Sequence, residues 1–102
     1  MTISTLDKIV RIERIRVLKD ALVVDFDDGQ SVSRPFVLYP RLARGTANER
    51  KTYRLIASGE GVHWPLLDED LSAEGLLAGG PSMEGEPSFR RWLKARKVKP
   101  AH

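Results

Sequence analysis

The sequence predicts a small α+β domain, with a twisted antiparallel sheet of about four strands, an N-terminal meander, short helices on one face and a basic C-terminal helix. Three observations support this fold class. Residues 8–36 alternate apolar and polar side chains with the period of a strand. Asp28-Gly29, within that stretch, is typical of a tight hairpin turn. Residues after Pro40 carry helix start and stop signals instead, and the 102 residues suffice for one modest core.

The first strand is predicted within residues 8–18, where the alternation changes phase. Val10 and Ile12 share one face of an extended chain, whereas Ile15 and Val17 share the other. A β-bulge near Glu13-Arg14 would bring all four side chains to the same core, because one extra residue reverses the phase.

The next two strands form the rest of the meander. A short turn at Lys19-Asp20 leads into a strand whose inward face consists of the alternate residues from Leu22 to Phe26. The third strand follows the Asp28-Gly29 turn. It should end near Arg34 or lie on an edge of the sheet, because Pro35 cannot donate a hydrogen bond to a neighbouring strand.

Two short helices and a fourth strand are predicted after Pro40. One helical turn should follow that proline. Thr46 and Glu49 have the spacing of a capping box, in which each side chain satisfies a backbone N–H at the start of a helix, here over about residues 47–52. The alternation returns in residues 53–57, which predicts the fourth strand.

A further helix is predicted within residues 66–80. Its acidic run favours the positive end of a helix dipole, and we expect Asp68 or Asp70 to cap it. Trp64, just before this helix, should be a buried core side chain, with Pro65 stiffening the chain as it leaves the sheet.

The C-terminal segment differs from the rest of the chain in charge. Six of the 17 Lys and Arg residues follow Pro87, where there is no Asp or Glu, so the 14 acidic residues all lie in residues 1–87. The net charge is +3, but the body is acidic and the positive charge belongs to the tail. The predicted organisation is an α+β domain at 1–80, a Gly/Pro linker at 81–87 and a basic amphipathic helix and tail at 88–102.

The last helix should begin at Ser88, which is a good N-cap. At helical spacing, Phe89, Trp92, Leu93 and Arg96 fall on one face. We expect this apolar stripe to be buried against the protein's own domain or a second copy, because large apolar groups are unfavourable in water. The remaining faces carry four cations: Arg90, Arg91, Lys94 and Lys97.

Composition excludes several functional classes. The chain has no cysteine, so a disulfide, a thiolate zinc site and a thiol nucleophile are all excluded. No apolar run approaches the ~20 residues of a membrane span, and the first residues lack the apolar core of a signal peptide. We therefore expect a cytoplasmic protein with no membrane partner.

No catalytic or cofactor motif is recognisable. The glycines lack the spacing of a phosphate-binding loop, and no serine lies in a nucleophile elbow. His63 with the acidic run Asp68–Asp70 could supply ligands to a divalent metal in a metal-dependent enzyme. This alternative is the weakest, because consecutive residues of an extended segment point in different directions. We expect no enzyme activity, no cofactor and no metal.

Three strings in the chain carry a family resemblance: YPRL at 39–42, ERKTY at 49–53 and GEGVHWPLLDEDLSAEGLL at 59–77. They resemble the bacterial family called domain of unknown function 2442. The resemblance implies a small α+β fold and a bacterial cytoplasmic protein without catalytic or cofactor residues. Some members resemble partners in toxin–antitoxin modules, and some longer members append a helix-turn-helix DNA-binding domain. The signature falls here on Pro40, Arg41, Leu42, Glu49, Arg50, Trp64, Pro65, Asp68, Glu69, Asp70 and Ser72.

Two functions remain open at this point. We expect a non-catalytic protein-binding or regulatory module, antitoxin-like, whose partner is a small co-encoded protein or a second copy in a homodimer. The alternative is a nucleic-acid-binding accessory protein that uses its basic C-terminal helix. Both functions use the same candidate interaction surface, which consists of Phe89, Arg90, Arg91, Trp92, Lys94 and Lys97.

Overall fold

The computed structural model describes residues 9–82 and 84–98, the last two by their backbone alone, and contains two three-stranded antiparallel sheets. The first sheet has the order β1 (Ile12–Val17), β2 (Ala21–Phe26), β3 (Ser31–Pro35), and the second has the order β4 (Arg54–Ile56), β5 (Gly61–Trp64), β6 (Glu69–Ser72). The helices of the described residues are α1 (Pro40–Ala43), α2 (Ala47–Lys51), α3 (Ala73–Ala78) and α4 (Glu86–Val98), with 3-10 turns at Phe36–Leu38 and Ala57–Gly59. The α+β class is confirmed, but the prediction of a single sheet of about four strands is wrong.

The bulge predicted in β1 is confirmed. The register of β1 with β2 shifts between Ile12 and Arg14. Because of this shift, Ile12 and Ile15 are both buried in the same core. Val10 and Val17 pack against that core as half-buried side chains.

β3 lies on the edge of the first sheet and ends at Pro35, as predicted. Arg34, next to that proline, reaches across to α3. Its Nε donates to the Leu76 carbonyl at 2.8 Å, and its Nη2 donates to the Leu77 carbonyl at 2.9 Å. These bonds satisfy carbonyls in the last turn of a helix and join the first sheet to α3.

The capping box at the start of α2 is confirmed. The Glu49 N–H donates to Thr46 Oγ1 at 3.1 Å, and the Thr46 N–H donates to Glu49 Oε1 at 2.9 Å. α1 is one turn long and has Pro40 at its first position, where a backbone N–H has no helical partner to lose.

The acidic run does not start a helix, so the prediction for residues 66–80 is wrong in its first half. Glu69–Ser72 is the strand β6, and α3 begins only after Ser72. The Ser72 Oγ accepts a hydrogen bond from the Gly75 N–H at 2.9 Å. Ser72 therefore caps α3, and neither Asp68 nor Asp70 does.

Strand pairing explains why residues 69–72 form a strand and not the predicted helix. Glu69 lies opposite Trp64 and Leu71 lies opposite Val62, so both β6 side chains lie on the core side of the sheet. A helix over the same residues would leave β5 without its second partner. Asp68 instead occupies the β5–β6 turn with a φ of 52°, a left-handed conformation that Asp tolerates better than most residues.

One core joins the two sheets and the helices. Trp64 is 0% exposed, which confirms the prediction that it is a core residue. Its Nε1 donates to the Arg50 carbonyl at 2.9 Å, so its polar atom is satisfied. Pro65 follows it in the exposed turn before β6. The largest fully buried side chains are Leu22, Val24, Phe26, Leu42, Val62, Trp64, Leu67 and Leu76.

α4 begins at Glu86, inside the predicted linker and before the predicted N-cap. Ser88 does not cap it, because its Oγ donates to Glu84 Oε2 at 2.7 Å. Pro87 explains the earlier start, since its fixed φ and missing N–H suit the first turn of a helix. The predicted tail at 99–102, the first residue of the predicted first strand and the Lys97 side chain lie outside the described residues.

Candidate functional site

The inner face of α4 is organised around Trp92. This side chain is half-buried and packs against the core. Two guanidinium groups lie over its indole ring: the Arg41 Cζ is 5.2 Å and the Arg96 Cζ 4.8 Å from the ring centroid. Cations at these distances are attracted to the electron-rich face of an indole. Arg41 belongs to the body and Arg96 to α4, so the helix is held by a stack of its own and the body's side chains.

Arg96 also pairs with a carboxylate of the body. Its Nη2 lies 3.0 Å from Glu49 Oε1, and its Nη1 lies 3.2 Å from Glu49 Oε2. The Arg96 hydrogen bonds lower the pKa of Glu49, against an opposing effect of burial. Glu49 thus closes the capping box of α2 and binds α4 with the same carboxylate.

Arg41 fixes the start of α4 through a second ion pair. Its Nε donates to Glu84 Oε1 at 2.8 Å and its Nη2 to Glu84 Oε2 at 2.5 Å. Its Nη1 donates to the Asp68 carbonyl at 2.8 Å. The Arg41 hydrogen bonds lower the pKa of Glu84, and the same pair raises the pKa of Arg41. One guanidinium therefore joins α1, the β5–β6 turn and the segment that leads into α4.

The groups of the body that hold α4 are Arg41, Glu49 and the Arg44 carbonyl, which accepts from Arg96 Nη2 at 3.5 Å. We call these three groups the α4 seat. Local sequence patterns predicted Arg96 on the inner face of the helix. They gave no signal for its partner Glu49, which lies 47 positions earlier in the chain.

The outer face of α4 carries the exposed cations Arg90, Arg91 and Lys94. Arg90 Nη2 lies 3.1 Å from Glu86 Oε2, but both side chains are about three-quarters exposed, and such surface pairs contribute little. We call Arg90, Arg91 and Lys94 the basic outer face. It accounts for three of the four cations predicted for the interaction surface.

Of the apolar stripe, Trp92 packs against the protein's own domain, and all three residues are less buried than predicted. Phe89, Trp92 and Leu93 are all half-buried. Phe89 stacks on Trp92 with ring centroids 5.7 Å apart, and Trp92 makes the contact with the core. The stripe therefore anchors the helix, while the cations face outward.

Other residues of the signature stabilise the scaffold. Arg50 donates from Nε to the Leu42 carbonyl at 2.7 Å and from Nη2 to the Ala43 carbonyl at 2.9 Å, which satisfies the end of α1. Its guanidinium also lies over the Phe36 ring, 4.4 Å from the centroid. Leu42 is fully buried. Through these contacts, Arg50 and Leu42 stabilise the fold.

The acidic run is split among three environments. Asp70 lies opposite His63 on the outer face of the second sheet, with Oδ1 2.5 Å from His63 Nδ1. Asp68 is exposed in the turn. Glu69 is buried, and burial raises its pKa. Within the described ranges, no three His, Asp or Glu side chains converge as metal ligands would.

A small cleft opens beside β6 and α3. Its volume is about 190 Å³, and Tyr39, Asp70, Ser72, Gly75 and Ser82 are among its lining residues. That volume is below the roughly 300 Å³ at which pockets for drug-sized ligands begin. The Tyr39 hydroxyl is buried and has no hydrogen-bond partner among the residues described, and burial raises its pKa.

The fold and site together define a small two-sheet α+β domain with a basic helix docked on it. A family model described as Protein of unknown function (DUF2442) matches residues 12–82. Because this match covers more than half of the chain, the protein belongs to that family. The matched region ends before α4 begins at Glu86.

A solved protein of unknown function from Rhodospirillum rubrum ATCC 11170 has a similar structure. The two share 27% sequence identity with a TM-score of 0.65, over 74% of this chain and 93% of that chain. No curated protein matches the chain. Among the described helices, none has the length and apolar character needed to cross a bilayer.

Proposed function

We propose that this protein is a non-catalytic binding module that presents the basic outer face of α4 to an acidic surface of a partner protein. In this proposal it acts in the bacterial cytoplasm as a regulatory, antitoxin-like partner of a small co-encoded protein. The proposal rests on the difference between the two faces of α4. The inner face is anchored to the α4 seat, whereas Arg90, Arg91 and Lys94 on the outer face remain exposed.

Anchoring favours recognition because it fixes the cations before the partner arrives. A helix that is already formed and held loses less conformational freedom on binding than a free tail does. Its charges also accelerate encounter with an acidic surface and orient the approach. The partner surface that fits is therefore acidic and about as long as the exposed part of one short helix.

Nucleic acid is the alternative occupant of the same face, and the acidic body argues against it. All 14 acidic residues lie in residues 1–87, so a long polyanion bound to α4 would also approach a body of its own sign. Three phosphate contacts by the basic outer face would give a salt slope of only about −2.7, typical of weak non-specific binding. A protein partner of limited size avoids the acidic body.

The chemistry of the remaining polar groups supports the non-catalytic part of the proposal. His63 forms its hydrogen bond with Asp70, and in the described ranges no serine or threonine hydroxyl is paired with this histidine. A nucleophile within reach of an oriented base is the arrangement expected for covalent catalysis. The cleft beside β6 is also small for a cofactor.

A charge-reversal capture experiment tests the proposal. The tagged full-length protein is used to capture binding proteins from its host, in parallel with the variant Arg90→Glu/Arg91→Glu/Lys94→Glu. The matched control reverses three exposed cations of the body: Lys19, Lys51 and Arg54. We expect one small acidic protein to be retained by the wild type and the control and lost with the α4 variant. Equal retention by all three proteins would contradict the proposal, as would retention of nucleic acid alone.

A further inference from the structure

The fully buried core consists of residues that precede α4. All 13 buried apolar residues of the described chain lie between Ile12 and Leu76. α4 adds only half-buried side chains to the edge of that core. The family match also ends at residue 82, before the helix starts. α4 therefore packs at the edge of the core and contributes no fully buried side chain to it.

The polar contacts that hold α4 on the body remain partly exposed to water. Arg96 and Glu49 keep 29% and 20% of their side-chain surface exposed. Water therefore reaches both partners of this two-pronged pair and can solvate each of them if the helix leaves. Trp92 packs only half-buried at the edge of the core, where Arg41 of the body and Arg96 of α4 lie over its ring. Gly85 lies directly before α4 and follows Glu84, which is paired with Arg41. A glycine at this point gives the backbone more conformational freedom than another residue would if the helix undocks.

We propose that the α4 seat is an exchangeable helix-docking site that accepts the α4 of a second copy of this chain. The second copy is the occupant that the structure supports, because its Trp92 and Arg96 would remake the contacts that the resident helix makes. Such an exchange requires no new surface complementarity. The proposal concerns the inner face of α4 and does not depend on what binds the basic outer face.

The resident helix competes with any helix supplied by another molecule. A short linker gives it an effective concentration on the order of millimolar at the seat. Intact copies at micromolar concentration should therefore keep their own α4 docked. Weakening the resident helix should expose the seat to a helix added from outside.

A peptide competition in the full-length protein measures this exchange. The probe is a fluorescein-labelled peptide of residues 86–98 with the natural sequence, followed by fluorescence anisotropy. The resident helix is released by Arg96→Glu and, independently, by Trp92→Ala. We expect the peptide to bind either release variant at least ~10-fold more tightly than the wild type, because the competing helix is weakened.

Two controls assign the binding to the seat. Lys94→Glu makes the same charge reversal on the outer face and should leave peptide affinity at the wild-type level. Adding Glu49→Gln to Arg96→Glu should weaken peptide binding several-fold, and the glutamine retains the capping box. Equal peptide affinity in the wild type and both release variants would overturn the proposal, as would no saturable binding to either variant. Far-UV circular dichroism checks that each variant is folded.

Discussion

Arg41 and Glu84, which lie 43 positions apart in the chain, form a two-pronged ion pair in which both side chains are nearly nine-tenths buried. The pair connects the first helix after the first sheet to the segment that leads into α4. Because charge-assisted bonds of this geometry are stronger than single surface pairs, it firmly holds the segment that leads into α4 to the body. The partly exposed pair of Arg96 with Glu49 is the weaker one.

The Arg41–Glu84 pair predicts an acid-sensitive stability. The pKa of Glu84 is lowered from its ordinary value of 4.5, so the ionised form is favoured in the folded protein. The stability that the ionised Glu84 adds to the fold is complete above pH 4.5 and is lost as the pH falls through the lowered pKa. We expect the urea midpoint of the wild type to fall faster than that of Glu84→Gln between about pH 6 and about pH 3. Parallel curves for the two proteins would contradict this role of Glu84.

Glu69 predicts a pH effect of the opposite sign. Burial raises its pKa, and its Oε2 has no partner among the described residues. Ionisation of Glu69 therefore destabilises the fold as the pH rises through the raised pKa. Glu69→Gln should stabilise the protein near neutral pH by about 1 kcal/mol, because the amide lacks the charge that burial opposes. The gain should shrink in acid, where Glu69 is protonated. Glu13→Gln, at an exposed position of β1, is the matched control and should leave the stability nearly unchanged.

Ser72 should carry the capping energy of α3. Ser72→Ala removes the acceptor of the Gly75 N–H and should cost about 1 kcal/mol of unfolding free energy. Asp68→Asn and Asp70→Asn should each cost much less, because neither carboxylate caps the helix. Chemical denaturation compares the three variants. An aspartate variant as destabilised as Ser72→Ala would restore the acidic run as the helix start.

The predictable and unpredictable parts of this fold differ in range. The β1 bulge and the Thr46–Glu49 capping box were predictable because each depends only on residues that are close together in the sequence. The prediction of a helix start at the acidic run was wrong because it also used only neighbouring residues. Carboxylates are favourable in the first turn of a helix, but here the pairing of Glu69 with Trp64 across the second sheet stabilises a strand. The partner of Arg96 could not be predicted either, since no local pattern joins it to Glu49.

Trp64 should be the most costly tryptophan to lose. Its side chain is fully buried in the core, and Trp64→Ala should lower the free energy of unfolding by roughly 3 to 5 kcal/mol. Trp64→Phe loses the bond to the Arg50 carbonyl and part of the buried ring volume, so it should cost roughly 1 to 3 kcal/mol and less than Trp64→Ala. Trp92→Ala, at a half-buried site, should be milder than Trp64→Ala. Equal unfolding midpoints for Trp64→Ala and the wild type would show that Trp64 is not a core residue.

The salt dependence of binding tests the central claim, recognition of an acidic protein by the basic outer face of α4, most directly. Labelled full-length protein is titrated with the captured partner, and separately with a short DNA duplex of random sequence, from about 50 to about 200 mM salt. We predict that the partner binds more tightly than the duplex throughout, with a shallow slope that the triple reversal at Arg90, Arg91 and Lys94 abolishes together with affinity. Tighter binding of the duplex, with a slope of about −0.9 for each cation of the face, would contradict the account and identify nucleic acid as the partner.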